Sequence, residues 1–109
     1  MLEALLESPV KEKILLFLLA NKDSYPREIA RNFAFNFTTV HYQLKKMEDA
    51  GVLYSQLRGK VRLYGLSPRY PFRKELEALL QKTFDFLSAE EKEKYYIRRR
   101  RPRRAEKPL

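Results

Sequence analysis

The side chains that could carry covalent or metal chemistry are few in this sequence. One histidine, His41, and no cysteine occur among 109 residues, so the usual nitrogen and sulfur ligands of a transition metal are almost absent. No carboxylate, cysteine or second histidine is placed by sequence to make His41 a catalytic base, and no serine has a partner base. Three glycines are too few for a phosphate-cradling loop. The composition therefore predicts no enzyme activity, no metal site and no cofactor.

Positive charge is abundant instead, and it is concentrated in two segments. Lys and Arg number 23 against 14 Asp and Glu, which gives a net charge of +9. Residues 24–66 contain seven basic and three acidic side chains, and residues 95–109 contain seven and one. The segments 1–23 and 67–94 are close to neutral. Positive charge confined to particular segments is typical of a surface that contacts a polyanion, so the sequence favours a nucleic-acid partner.

The elements that must position these charges begin with three predicted helices. Leucines at helical spacing predict a short helix over residues 2–7, and Ser8 followed by proline is typical of the start of a second helix. That helix continues to about Ala20, and its apolar residues are too dense for a surface helix, so we expect it in the core. After a break at 21–24, a third helix is predicted over residues 26–33.

The middle of the sequence predicts a helix followed by a β-hairpin. Asn36 is a good N-cap and Gly51 a good C-terminal cap for a helix between them. Two β-prone segments follow, over residues 52–57 and 61–66. Residues 58–60 between them are predicted to form a three-residue hairpin turn. Tyr54 and Tyr64 on these strands are expected to pack across strands rather than to stack on bases.

The C-terminal part predicts two more helices and a basic tail. An apolar stripe predicts a helix over residues 72–87, and a capping-box pattern at Ser88 predicts a last helix from 89 to about 100. The sequence then runs into six arginines interrupted by one proline. We therefore divide the chain into a domain over residues 1–88 and a C-terminal helix with an arginine-rich tail over residues 89–109.

The order helix, short turn, helix, glycine and basic hairpin is that of a winged helix-turn-helix, a mostly α fold with a β-hairpin wing. Residues 27–33 (REIARNF) resemble its first motif helix, and residues 38–53 (TTVHYQLKKMEDAGVL) resemble its recognition helix and the entry into the wing. Over residues 9–87 the sequence is similar to the ArsR-like winged-helix transcriptional regulators of bacteria and archaea. The metal-sensing members use Cys and His ligands that are missing here, and Ala34 stands where such turns often have glycine.

The helix over residues 37–50 is predicted to present a DNA-reading face. At about 100° per residue, Val40, Leu44, Met47 and Phe37 fall together and define the buried face. The remaining faces carry hydroxyls, an imidazole, a phenol and two amines, which can contact base edges and phosphates. These predicted DNA-binding residues are Thr38, Thr39, His41, Tyr42, Lys45 and Lys46. The alternative is that they form the polar face that any surface helix has.

Two further basic clusters are predicted to contact DNA. One lies at the hairpin tip and comprises Arg58, Lys60 and Arg62; it fits phosphate or the minor groove, although basic side chains also deter edge-to-edge pairing of strands. The other is a C-terminal arm that comprises Arg98, Arg99, Arg100, Arg101, Arg103 and Arg104. This arm either adds DNA affinity without sequence choice or is a solvated basic end.

The resemblance also implies flanking N- and C-terminal dimerisation helices, because such elements pair two subunits in the family. The apolar residues that would form this interface are Leu2, Leu5, Leu6, Leu76, Leu79, Leu80, Phe84 and Leu87. The alternative is that these helices cover the core of a monomer. A small domain gains stability by burying such faces against a second copy.

Together these features predict a homodimeric, sequence-specific transcriptional regulator that binds double-stranded DNA. The alternatives are a non-specific architectural DNA binder and an adaptor module that binds a protein or RNA partner. No apolar run approaches the roughly 18 residues of a membrane span, and the acidic N-terminus does not resemble a secretory signal. Together with the lack of cysteine, these observations predict a cytoplasmic protein without a membrane partner.

Overall fold

The computed structural model describes residues 1–97, which form a helical domain with one small antiparallel sheet. A π-helical turn (Lys92–Tyr96) follows the last α-helix, and the sheet has the strand order β1-β3-β2. No helix within residues 1–97 has the length and hydropathy that crossing a bilayer requires. The elements are α1 (Glu3–Leu6), α2 (Pro9–Asn21), β1 (Asp23–Ser24), α3 (Pro26–Phe33), α4 (Phe37–Asp49), β2 (Leu53–Arg58), β3 (Val61–Leu66), α5 (Arg73–Asp85) and α6 (Ala89–Glu91).

Helix α2 is the centre of the core, as its apolar density predicts. The Ser8 hydroxyl caps the helix by accepting a hydrogen bond from the backbone N–H of Lys11 at 3.0 Å. Five successive residues, 14–18, are buried, which requires neighbours on every side of the helix. The predicted break after α2 contains a strand that the sequence does not reveal: β1 pairs Asp23 with Gly65 and Ser24 with Tyr64.

The turn between α3 and α4 is tight and uses alanine instead of glycine. Ala34 has φ 58° and ψ 38°, the left-handed conformation that ends many helices. The N–H of Phe35 donates to the carbonyl of Ala30 at 2.8 Å and closes the turn. The Asn36 side chain then accepts from the N–H groups of Thr38 and Thr39 at 2.8 and 3.3 Å, so α4 begins where its cap predicts.

The hairpin turn is shorter than predicted. Because Arg58 pairs directly with Val61, only Gly59 and Lys60 lie between the strands, and the prediction of a three-residue turn is wrong. Gly59 has φ +61°, and a glycine at the first position of a two-residue loop is what a type II′ turn requires. This turn keeps the tip of the wing narrow.

The two wing tyrosines lie on opposite faces of the hairpin. Tyr64 is opposite Ser55 and is only 2% exposed, so its ring belongs to the core. Tyr54 is opposite Gly65, and a side-chain carbon at Gly65 would come within 2.8 Å of the Tyr54 ring. The two rings therefore pack across neighbouring strands without contacting each other.

The C-terminal helix ends a few residues earlier than predicted, because α6 passes into the π-helical turn and the helical backbone stops at Tyr96. The Ser88 hydroxyl caps α6 as expected, but Ile97 is already extended, with φ −97° and ψ 115°. The Asn21 and Asn32 side-chain amides donate to the carbonyls of Tyr96 and Tyr95 at 2.8 and 2.7 Å. In a helix that continued, these two carbonyl oxygens would accept from backbone N–H groups later in the chain. Because the asparagine amides donate to them instead, the helix can end here.

Residues 92–97 are also held against the domain by aromatic packing. The Tyr95 ring stacks on Phe33 with centroids 5.6 Å apart, and Tyr96 packs edge-on against Phe84 at 5.7 Å. Tyr96 is 2% exposed, and this burial raises the pKa of its phenol well above the ordinary value. Residues 89–97 thus share one core with residues 1–88.

Candidate nucleic-acid interface

Helix α4 separates a buried face from a polar one, close to the predicted phase. Val40 and Leu44 are fully buried and Met47 is 5% exposed, which confirms the predicted inner face. Phe37, which was expected on that face, is 42% exposed, and the expectation for this residue is wrong. Phe37 lies in the first turn, where its ring turns outward and stacks on His41 with centroids 5.8 Å apart.

The predicted reading residues all lie on the exposed side of α4. This position satisfies the first requirement for groove contact, since a side chain must be free to reach a base edge. Tyr42 is 59% exposed. The exposed set comprises Thr38, Thr39, His41, Tyr42, Lys45 and Lys46.

The N-terminal end of α4 carries a cation that the sequence reading missed. The Arg27 guanidinium, on α3, lies 5.1 Å from the centre of the Phe37 ring, which in turn stacks on His41. Arg27 is exposed and belongs to the basic segment 24–66. A wheel drawn for one helix cannot show a neighbour from another helix. In the sequence, Arg27 belongs to the basic segment and to the first motif helix, but neither feature places it beside α4.

At the C-terminal end of α4 the two lysines are engaged by neighbouring side chains. The Lys45 amine lies 3.9 Å from a Glu48 oxygen and 3.5 Å from an Asp49 oxygen. The Lys46 amine lies 5.6 Å from the centre of the Tyr42 ring. Exposed pairs of this kind contribute about 0–1 kcal/mol, so a phosphate can displace them. The carboxylates nevertheless reduce the positive potential around Lys45.

A hydrogen-bond chain joins α4 to the hairpin. The Ser55 hydroxyl donates to a Glu48 oxygen at 2.5 Å and accepts from the Arg62 guanidinium at 3.1 Å. Burial and the nearby Glu48 carboxylate raise the pKa of the adjacent Tyr64 phenol. The chain fixes the base of the wing relative to the recognition helix. Arg62 therefore lies on the α4 side of the hairpin.

The other wing cations are free at the tip. Arg58, Lys60 and Arg62 are all exposed, and Arg58 lies on the strand face opposite to that of Arg62. The wing therefore presents positive charge on both faces and at its end. The predicted arm, Arg98 to Arg104, lies outside the described residues. Within residues 1–97 no group of three His, Cys, Asp or Glu side chains is arranged to hold a metal ion.

The predicted dimer residues divide into buried and exposed ones. Leu80 is fully buried and Leu2 is 9% exposed within the chain's own core, so neither is available to a second subunit, and the prediction is wrong for both. Four others are half-buried against the same core: Leu6, Leu76, Phe84 and Leu87. Leu5 and Leu79 remain exposed, at 68% and 37%.

An apolar row along α5 does face outward, but it differs from the predicted stripe: its middle member is on the helix, and its outer two are the residues that flank the helix. Phe72, Leu79 and Phe86 follow each other at intervals of seven residues and are 62%, 37% and 67% exposed. A seven-residue interval places side chains along one line of a helix. The exposed row is therefore rotated from the stripe through Leu76, Leu80 and Phe84, and we call it the α5 row.

The element order, the tight α3–α4 turn and the basic wing define a winged helix-turn-helix. The chain resembles YusO from Bacillus subtilis with a TM-score of 0.59 and 20% identity, over 84% of this chain and 72% of YusO. An apo form of a ZitR double mutant from Lactococcus lactis gives a TM-score of 0.53 and 24% identity, over 78% of this chain and 73% of ZitR. No protein-family model and no curated protein sequence matches the chain. These likenesses establish the fold, and the ArsR-like resemblance stays a prediction.

Proposed function

We propose that this protein is a DNA-binding transcriptional regulator and not an enzyme. The observation that carries the proposal is the division of α4 into two faces. One face is fully buried at Val40 and Leu44, and the other exposes hydroxyl, aromatic and basic side chains next to a cationic hairpin. A helix of this kind fits the major groove, where each base pair presents its own pattern of donors and acceptors.

In this proposal α4 reads bases and the wing contacts the adjacent backbone or minor groove. Tyr42 and Thr38 on the exposed face of α4 are placed to meet base edges, and Arg58 and Lys60 to meet phosphates. The Glu48–Ser55–Arg62 chain supports this arrangement, because it fixes the wing relative to α4 before DNA binds. Little ordering is then required when the complex forms.

The regulator is proposed to act as a homodimer through the α5 row. Phe72 and Phe86 are large apolar side chains with more than half of their surface exposed, which is costly in water unless another surface covers them. A second copy would cover this row with the same row, as twofold symmetry requires. Two recognition helices would then meet half-sites about one helical turn, ~34 Å, apart.

The arginines beyond residue 97 are proposed to act as an arm that adds affinity for any DNA sequence. A truncation after Ile97 tests this, because it keeps the packed Tyr95 and Tyr96. The salt slope and the affinity for all sequences should then fall together. If only specific binding is lost, the arm reads bases.

The function is tested by selecting DNA from a random pool with the purified full-length protein and measuring affinities by fluorescence anisotropy. The expected result is a site with twofold symmetry and a steep fall of log K with log salt, about 0.9 per phosphate contacted. A flat response to base substitutions would support an architectural binder instead. The adaptor alternative would be supported if the protein captures RNA instead of DNA, or if it captures a protein partner that stays bound after nuclease treatment.

A further inference from the structure

The tip of the wing carries two large apolar side chains that the fold does not use. Leu57 is 62% exposed and Val61 is 39% exposed. Neither belongs to the hydrophobic core or to the apolar side chains packed against it. An exposed leucine on a hairpin surrounded by cations contributes little to folding. Leu57 is therefore available for a contact outside the chain.

Each apolar side chain at the tip is matched with a cation. Leu57 lies directly opposite Arg62, and Val61 lies directly opposite Arg58. Residues directly opposite each other share one face of a hairpin, so each face has one apolar and one basic side chain. Lys60 completes the set in the turn. A hairpin tip that only contacts solvent would be expected to carry polar side chains throughout. This tip carries apolar and basic side chains side by side.

Leu57 is on the face that meets the recognition helix. Residues two apart on a strand point to the same side, so Leu57 shares its side with Ser55. Ser55 donates a hydrogen bond to Glu48 on α4, which shows that this side faces α4. Leu57 therefore borders the gap between α4 and the hairpin tip. With α4 in a major groove, the strand that separates this groove from the next minor groove would run through that gap.

We propose that Leu57 enters the minor groove beside the base pairs read by α4 and presses against the sugars and base edges there. The inference rests on the proposed function. The minor groove is walled by two phosphate backbones about 6 Å apart, so it attracts flanking cations and also admits one apolar side chain. Proteins that bind there frequently insert leucine or another apolar wedge and kink the duplex.

This contact would make the protein sensitive to base pairs that α4 does not touch. A pyrimidine–purine step such as TA opens easily, so a wedge costs less there than in a stiffer flank. The protein should therefore prefer a TA step at the wing position over G·C pairs, although no side chain hydrogen-bonds to those bases. The bound duplex should also be bent.

The experiment compares Leu57→Ser with Val61→Ser in the full chain. Both replace an exposed aliphatic side chain at the tip by serine, but Val61 lies on the face turned away from α4. Affinity for the selected site, the salt slope, the preference for a TA flank, and the bend of an end-labelled duplex by energy transfer are measured for each. Thermal melts by circular dichroism check that both variants fold.

Leu57→Ser is expected to lose roughly tenfold in affinity, the low end for burying a leucine side chain. It should also lose the flank preference and the bend while it keeps the salt slope, because no phosphate contact is removed. Val61→Ser should change these quantities much less. If Leu57→Ser matches the parent in affinity, DNA bending and flank preference, the proposed minor-groove contact of Leu57 is wrong, but the proposed regulator function is not affected. If the parent shows no affinity for duplex DNA, the proposed function and the wedge both fall.

Discussion

Helices α4 and α5 have the same length, 13 residues, and each buries one side in the same core, yet their outer sides differ in chemistry. The outer side of α4 carries hydroxyl, phenol, imidazole and amine groups. The outer side of α5 carries Leu79, and the flanking Phe72 and Phe86 extend it into an exposed apolar row. Burial alone shows only which side packs inward. The chemistry of the other side is the basis for the proposed partners, a polyanion for α4 and a second apolar surface for α5.

The largest expected effect concerns the inner side of α5. Leu80→Glu places a charge at a fully buried position, which should destabilise the fold by on the order of 4 kcal/mol or more. Denaturant unfolding followed by circular dichroism measures this. A Leu80→Glu variant that unfolds like the parent would show that this side of α5 is not the inner one, and the comparison would fail.

The second largest effect is expected for a charge on the outer side of α5. Leu79→Glu should keep the fold of the subunit and yield a monomer, because the new charge would lie in the apolar contact between two rows. Light scattering after size exclusion measures the mass. Ala78→Glu is the matched control, since it adds one carboxylate at an exposed position on another side of α5 and should stay dimeric. If both variants remain dimeric, the subunits meet elsewhere.

The outer side of α4 should respond in binding and not in stability. Tyr42→Ala removes an exposed side chain and should cost about 1–3 kcal/mol of specific binding, the range for a good base contact. The measurement is the ratio of specific to non-specific affinity at one salt concentration. Lys46→Ala serves for comparison. It should lower the salt slope, and it should change this ratio less than Tyr42→Ala does. An unchanged ratio for Tyr42→Ala would remove α4 as the reader.

The smallest expected effect is a difference between two cations of the proposed DNA-binding surface. Lys60→Ala should reduce the salt slope by about 0.9, one phosphate contact. Lys45→Ala should reduce it by less, because Glu48 and Asp49 already compete for this amine. Titrations at four or more salt concentrations give both slopes. Equal reductions would mean that the carboxylates move away from Lys45 when DNA binds.

The fold could be predicted where one physical signal decided the outcome. In α4 the apolar residues form a single stripe, so its inner face was correct except at Phe37. In α5 two apolar stripes lie side by side, through Leu79 and through Leu80, and periodicity cannot tell which one packs inward. Only the position of α2 against α5 resolves this, and that is a tertiary contact.

Other differences also arise from contacts between distant residues. Strand β1 has only two residues, too few for an alternating apolar and polar pattern. It pairs with β3 because the end of α2 places it beside that strand. The last helix stops early because Asn21 and Asn32 hold the carbonyls of Tyr96 and Tyr95. The exposure of the candidate DNA-contacting side chains could be predicted, whereas the exposure of the candidate dimer residues could not. Exposed polar groups identify themselves by type, whereas exposed leucines look the same as buried ones.

The attachment of Tyr95 and Tyr96 to α2 and α3 has a consequence for how the protein is made. The carbonyls of these tyrosines are bound by Asn21 and Asn32, which are synthesised much earlier. Domains tend to fold as units while the chain emerges from the ribosome. Here the helix-turn-helix keeps the Phe33 ring uncovered on one side until residue 96 has emerged. The nascent chain therefore completes this core only after Tyr96 has left the ribosome.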